Sequence, residues 1–497
     1  MWEGIATGFG TAFQPVNLAW VIAGCLAGTF IGMMPGLGPI TAIALMIPVS
    51  YSLDPAAGMI MMAGVYYGAV FGGSTSSILI NAPGVASTVA TSFDGYPMAR
   101  RGQAGRALAL AAYASFAGGT VGAVALLLFA PALALLATEF QSPEYTLTLV
   151  FALSSIAAFA ERGQVLRSLA AAVVGLMLGT VGTDQSAGVQ RFTFGRLDLA
   201  DGLSFVLVAM ATFALAEAFR MVLAGGTELP RSELAHARLH PGDGKAVTST
   251  VARSSGLGFL VGVLPGAGAT LASFFAYEIQ KRFRRNDETD GARGVAAPEA
   301  ANNAACTGSF VPLLTLGIPG SGTTAVLLGV MLSYGVQPGP RLLEVEPAMF
   351  WGVIVSMYIG NVVLLALNLP LIPYLSRILY LRRRVLVPCV IAFSLLGVYL
   401  TSLNSFDVYL MLAFALAGLA LRLAGFPLAP LLLGFILSGM LEENLRRTMV
   451  LADGSLGLIF ERPVSVVLVL FCVAIWAAPL MRVVRQRHNR RRGDYAA

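Results

Sequence analysis

Apolar residues run through this chain in blocks of bilayer length. Continuous apolar stretches cover 16–34, 40–51, 56–82, 107–137, 145–160, 169–181 and 203–223 in the first half, and 349–374, 385–400, 408–423, 428–441 and 464–481 in the second. A helix needs about 20 apolar residues to cross the hydrocarbon core, whereas a spanning barrel alternates apolar and polar residues in segments of about ten. The pattern therefore predicts an all-α polytopic membrane protein of about 11–12 transmembrane spans. Residues 1–15 are short, lack Lys and Arg, and are expected outside.

Two of these runs are interrupted in the same way. Gly28, Gly32, Pro35, Gly36, Gly38 and Ala42 return 230 positions later as Gly258, Gly262, Pro265, Gly266, Gly268 and Ala272, and both sets read G-x3-G-x2-P-G-x-G-x3-A. Each is followed by a second break. Pro83-Gly84-Val85-Ala86-Ser87-Thr88 and Pro319-Gly320-Ser321-Gly322-Thr323-Thr324 share P-G-x2-[S/T]-T. Proline removes a backbone donor and clashes with the preceding turn, and glycine eases departure from helical geometry. Inside a bilayer the freed backbone groups survive only when buried in protein or lining a hydrated cavity. Broken helices in matching positions of two halves point to a transporter binding site.

Charge divides the chain further. The expected organisation is an N-terminal membrane repeat over 1–224, a polar cytoplasmic connection over 225–255 with Arg231, Arg238, Lys245 and Arg253, a C-terminal membrane repeat over 256–481, and a basic cytoplasmic tail over 482–497. Arg100, Arg101 and Arg106 place the loop after Pro83 inside, while the loop at Asp54 has no basic residue. In the second half the bias flips. Lys281–Arg285 follows the first break, and 334–346 holds only Arg341 against two glutamates. Equivalent loops of opposite bias predict two inverted-topology repeats with broken, re-entrant helices.

Composition agrees with the class. The chain is 57% hydrophobic and 12% charged, against about 25% charged in soluble domains. The net charge of +6 reads as the cytoplasmic-loop signal and not as a nucleic-acid footprint. Cys25, Cys306, Cys389 and Cys472 lack metal-ligand spacing and read as small buried hydrophobes. The N-terminus has no basic region or clear cleavage site of a signal peptide.

The candidate chemistry lies at the breaks. Half-helices starting after Pro35, Pro83, Pro265 and Pro319 would aim their N-termini at the midplane, where unpaired N–H groups favour an anion. Freed carbonyls on the preceding arms suit a small cation such as sodium. Pro35, Gly36, Gly38, Pro83, Gly84, Pro265, Gly266, Gly268, Pro319 and Gly320 form this break and cation set. Ser74, Thr75, Ser76, Asn81, Ser87 and Thr88 stand opposite Asn302, Asn303, Thr307, Ser321, Thr323 and Thr324 as the expected carboxylate-binding set. Hydroxyls and amides hold a carboxylate without fixed charge, so they also release it. The plainer alternatives are small-xxx-small packing for Gly28, Gly32, Gly258 and Gly262, and hydroxyls bonded back to their own helices.

Tyr66 and Tyr67 read as packing or interfacial residues. Glu299 and Asp94 read as loop-facing, with a proton relay as the alternative. His236, His240 and His488 all lie in polar segments and no H-E-x-x-H occurs, so catalysis is the weaker class. No metal or cofactor is expected beyond a coupling ion, sodium or proton. A passive anion channel remains the competing transport reading, but it lacks charge rings.

These motifs resemble a known family. Gly32 to Pro39, Tyr67-Gly68 to Pro83-Gly84, Asp94-Gly95-Tyr96-Pro97 with Arg100 to Arg106, and Pro265-Gly266 with Gly317 to Gly320 are similar to the large membrane subunit of tripartite tricarboxylate transporters, the TctA family. Ala269 stands where the first repeat has Pro39. The resemblance spans essentially the whole chain. It implies a bacterial inner-membrane secondary carrier driven by a cation gradient. It further implies a small membrane subunit and a periplasmic solute-binding protein as partners, and di- or tricarboxylates such as citrate as substrates.

Overall fold

The computed structural model describes residues 2–137, 140–159, 164–184, 187–223, 237–266, 268–283, 289–375, 383–454 and 457–474. Expectations on Arg231, His236, Arg285, Arg377, Arg382 and the tail from 482 fall outside the described residues. The described chain is helical almost throughout. Its one sheet among those residues is a ribbon of Gly182–Thr183 with Gln190–Arg191.

The first half contains α1 (Trp2–Ala12), α2 (Pro15–Met33), α3 (Gly38–Ser50), α4 (Pro55–Ile80), α5 (Val89–Met98), α6 (Ala104–Ala137), α7 (Ser142–Phe159), α8 (Val165–Leu178) and α9 (Phe205–Leu223). The second contains α10 (Asp243–Val263), α11 (Gly268–Arg282), α12 (Asp290–Gly308), α13 (Phe310–Leu316), α14 (Gly322–Ser333), α15 (Pro347–Asn368), α16 (Arg383–Ser402), α17 (Ser405–Leu423), α18 (Leu428–Leu451) and α19 (Pro463–Ala474). Among the described residues, eight helices are long and apolar enough to cross a membrane, and four apolar helices are shorter. The protein is a multi-pass membrane protein.

Three segments carry structure that hydropathy alone does not show. Residues 2–12 form a helix whose Gly4 and Gly8 lie against Trp351 of α15, so the opening segment is packed structure. The polar stretch from Asp94 to Gln103 is no loop. Helix α5 runs to Met98, and a wide turn over Ala99–Gln103, kinked at Arg101-Gly102, leads into α6. Residues 243–255 of the connection form the first turns of α10. Hydropathy sees only the apolar part of such a helix and misses its polar end.

Compactness groups Met1–Ala137 with Ser204–Leu421, and Thr138–Leu203 with Arg422–Ala497. In the first unit, α4 is buried along nearly its whole length. Helices α2 and α4 run parallel in close contact. A Cβ on Gly28 or Gly32 would stand 2.2 or 2.1 Å from the carbonyl oxygen of Val65 or Ala69. Helices α10 and α12 repeat this, with Gly258 against Ala301 and Gly262 against Ala305, each 2.3 Å from the carbonyl oxygen. Apolar contact between helices gains little in lipid, so close backbone approach at small residues supplies the attraction.

Within the first unit the two halves of the chain are interleaved. Helix α6 of the first half packs on α12, with Gly118 against Ala300, and α15 of the second half packs on α4. Ser74 meets Glu299 whereas Tyr66 meets Phe310, so α4 and the α12–α13 arm run in opposite directions where they touch.

In the second unit, α8 and α18 pack by reciprocal glycines. Gly175 lies against Leu431 and Gly434 against Ala172. Glu144 of α7 accepts hydrogen bonds from Arg462 at 2.5 Å and Ser465 at 2.6 Å.

Candidate functional site

Both predicted Pro-Gly-x-Gly breaks interrupt their helices. Helix α2 stops at Met33 and α3 starts at Gly38, while α10 stops at Val263 and α11 starts at Gly268. The turns need left-handed backbone at Gly36 (φ +90°) and Gly38 (φ +55°), and again at Gly266 (φ +78°) and Gly268 (φ +62°). A side chain there would be strained, so the glycines are set by the turn.

In each half the first break lies against the second. A Cβ on Gly38 would lie 3.8 Å from the carbonyl oxygen of Gly84. The Gly266 N–H donates to the carbonyl of Gly320 at 3.0 Å, and a Cβ on Gly268 would lie 3.6 Å from Ser321. Across halves, α3 is held by α14 and its following turn, where Tyr334 Oη donates to the Ser50 carbonyl at 2.5 Å. Helix α11 is held by the turn after Pro83 and by α5, where the rings of Phe93 and Tyr277 meet tilted with centroids 5.3 Å apart.

The expected binding residues divide into three groups. Some are used internally. Ser76 Oγ accepts from the Gly84 N–H at 3.0 Å, and Ser77 and Thr88 share a hydrogen bond of 2.7 Å. Ser321 and Thr324 form a capping box at the start of α14, with bonds of 3.2 and 2.8 Å. That helix end therefore satisfies part of its own donor set, while α3 and α5 carry no side-chain cap. Thr307 bonds back to Asn303 O at 3.1 Å. Others stand apart. Asn81 is exposed in left-handed conformation at the end of α4, and Thr323 is buried on the first turn of α14.

The third group is buried and unsatisfied. Asn302 Nδ2, Asn303 Oδ1 and Ser87 Oγ have no hydrogen-bond partner, and neither does Tyr67 Oη, although Tyr67 is expected only to pack or lie at the interface. Tyr67 lies on the stretch of α4 that faces α12 and α13, with its ring 6.0 Å from Phe310, and Asn302 and Asn303 lie on α12. Buried polar atoms without partners are few in native proteins, and each requires an explanation such as a ligand. Tyr67 and the two asparagines together offer donors and an acceptor and no net charge.

Glu299 overturns its loop-facing assignment. It has 0% exposure and lies inside α12. Its Oε1 accepts from Thr91 at 2.5 Å, and its Oε2 accepts from Ser74 and Ser115, each at 2.8 Å. Asp94 is half-buried on α5 against Gly294. Among the cysteines, Cys389 is exposed and the other three are buried.

Sequence reasoning passed over one further pair. Glu217, wholly buried on α9, takes three hydrogen bonds of 2.5–3.0 Å from Arg220, and both lie against Gly36 at the first break. Their i,i+3 spacing was a signal, masked by the apolar run around it. No group of three or more His, Cys, Asp or Glu suited to a metal occurs among the described residues.

Broken helices that meet in pairs beside buried polar groups fit a membrane transporter. A family model agrees. Residues 18–433 match the tripartite tricarboxylate transporter TctA family, and the chain belongs to that family. It is thus a tricarboxylate transporter subunit of a kind that works in a tripartite system.

The chain is 42% identical over 490 residues to an uncharacterized 52.8 kDa protein in the TAR-I ttuC' 3'region of Agrobacterium vitis, covering 97% of each. It is also 42% identical over 236 residues to an uncharacterized protein in the TAR-II ttuC' 3'region of the same organism, covering 46% of this chain and 98% of that one. No solved structure matches.

Proposed function

We propose that this chain is the large transmembrane subunit of a binding-protein-dependent secondary transporter. It imports di- or tricarboxylates of the citrate type across a bacterial inner membrane, driven by a cation gradient. The single observation that carries the reading is the set of unpartnered buried atoms Tyr67 Oη, Asn302 Nδ2 and Asn303 Oδ1, on helices flanking the two pairs of breaks. A bound carboxylate would accept from Tyr67 and Asn302 and would be released without breaking an ion pair.

The opposed directions of α4 and the α12–α13 arm support inverted repeats, and the opposite charge bias of the equivalent loops supports them independently. A small membrane subunit and a periplasmic solute-binding protein complete the system, and nucleic acid has no part in it. The carrier requires the breaks, so Pro35→Ala and Pro319→Ala should abolish uptake of labelled citrate by vesicles while both proteins still insert. Normal uptake in both variants would refute the reading. Uptake independent of any ion gradient would favour a channel.

A further inference from the structure

The carboxyl of Glu299 is an acid inside the membrane region that the substrate reading leaves unused. Its three hydroxyl donors come from three different helices of the first half, Ser74 on α4, Thr91 on α5 and Ser115 on α6, while Glu299 itself belongs to the second half. No arginine, lysine or histidine pairs with it among the described ion pairs. The ionisable groups on its own helix are Asp290, Arg293 and Cys306; those on the packed helices are Tyr66 and Tyr67 on α4, Asp94 and Tyr96 on α5, Arg106 and Tyr113 on α6, Asp243, Lys245 and Arg253 on α10, and Tyr277, Glu278, Lys281 and Arg282 on α11. The charged ends of α6 and α10 are joined to each other through Arg106 and Asp243, and Arg253 of α10 donates to Gln280.

We infer that Glu299, with Ser74, Thr91 and Ser115, is the proton-binding site that couples this carrier to a proton gradient. The inference rests on the transporter reading and names its ion.

Three features support it. First, the hydroxyls are divided between both carboxyl oxygens, one on Oε1 and two on Oε2, so no single point offers all of them to a metal ion. Second, the network fits both protonation states. Ser74 Oγ also lies 3.3 Å from the Val70 carbonyl. When a proton binds Oε2, the new O–H donates to Ser74, whose own hydrogen turns to Val70. The carboxyl charge goes from minus one to zero and nothing else changes charge. Third, Ser74 and Ser115 also line a small cavity with Thr75 and Asn368, with room for about one water. A water there would sit against two of the three hydroxyls.

The site is also tied to the substrate groups. Glu299, Asn302 and Asn303 share one helix face at i, i+3 and i+4. The Asn303 side-chain amide donates to the Glu299 carbonyl at 3.1 Å, which leaves its Oδ1 unpartnered. Neutralising the carboxyl removes a like charge one helical turn from the place where an anion would bind.

The test uses the full chain, alone for the spectra and reconstituted with its small membrane subunit and solute-binding protein for transport. In infrared spectra recorded across pH, the wild type should show a protonated-carboxyl band that titrates, is absent in Glu299→Gln, and moves its midpoint in Ser115→Ala. In proteoliposomes, an imposed pH gradient should drive accumulation of labelled citrate. Glu299→Gln should lose at least tenfold of that accumulation and keep citrate–citrate exchange. Normal pH-driven accumulation by Glu299→Gln, accumulation driven equally by sodium alone in both proteins, or a band unchanged by Glu299→Gln would each overturn the assignment. If the wild type shows neither uptake nor exchange, the transporter reading fails, and the infrared band still reports whether Glu299 holds the proton.

Discussion

Ser74 Oγ lies 2.8 Å from Glu299 Oε2 although 225 positions separate them in the chain. The bond joins the two halves of the chain in a buried region of the first unit. Any rearrangement that slides α4 past α12 must break it. A hydrogen bond to a charged or chargeable buried group is also a stability element. Ser74→Ala should lower the stability of the detergent-solubilised chain by about 1–3 kcal/mol, because it leaves an acceptor short of a donor. Thermal unfolding reads this directly. No loss of stability would mean the hydroxyl is not bonded as described.

Tyr67 makes the opposite prediction. Its hydroxyl is buried without a partner, so Tyr67→Phe removes an unsatisfied group and should leave stability equal or raised by up to about 1–3 kcal/mol. Citrate uptake should nevertheless fall. A stable variant with impaired transport separates a binding residue from a packing residue, whereas unaltered uptake would remove Tyr67 from the site.

Gly32 and Gly262 test the helix pairs. A methyl at either would meet a backbone carbonyl, Ala69 or Ala305, at 2.1 or 2.3 Å, and backbone cannot swing aside as a side chain can. Gly32→Ala and Gly262→Ala should each cost about 1–3 kcal/mol or more by overpacking. Gly256, with open space at its Cβ, should tolerate the same change. The comparison of the three melting temperatures decides it.

Arg106 and Asp243 hold the polar start of α10 onto the start of α6, with bonds of 2.9 and 2.6 Å. Burial alone would push the Asp243 carboxyl up, but the Arg106 guanidinium and the backbone N–H of His240 outweigh it and hold the carboxyl below its ordinary value. A carboxyl lowered in the folded state stabilises fully above its unfolded value, about 3.9, and loses that contribution as pH falls through the folded one. Asp243→Asn should therefore cost about 1.5–3 kcal/mol at neutral pH. Its deficit should shrink as the pH drops below about 4. A deficit independent of pH would point to packing.

The breaks were legible in the sequence because proline and glycine state their backbone requirement locally. Their duplication did not say which breaks meet; Gly38 beside Gly84 and Gly266 beside Gly320 pair the first break with the second inside each half. Glu299 was not legible. It follows the charged segment from Lys281 to Arg293, and the Ala-rich run around it gives no sign of depth. Its hydroxyl partners lie on three other helices, and only tertiary packing brings them together. The early start of α10 was missed for the related reason that Thr248, Ser249 and Arg253 look like linker, although they extend a helix past its apolar part. The hydroxyls at Ser321 and Thr324, expected as ligands, also cap α14, since both uses draw on the same residue types next to a helix start.

The reciprocal fit of Gly175 to Leu431 and Gly434 to Ala172 has a consequence for synthesis. Helix α8 leaves the ribosome about 256 residues ahead of the helix that clasps it. At ~5–20 residues per second, that is a delay of the order of tens of seconds. Throughout that interval its small-residue stripe faces lipid or a holding chaperone. Truncating the message before α18 should leave α8 inserted but susceptible to membrane proteases, which makes about the last seventh of translation the step at which this portion of the protein becomes durable.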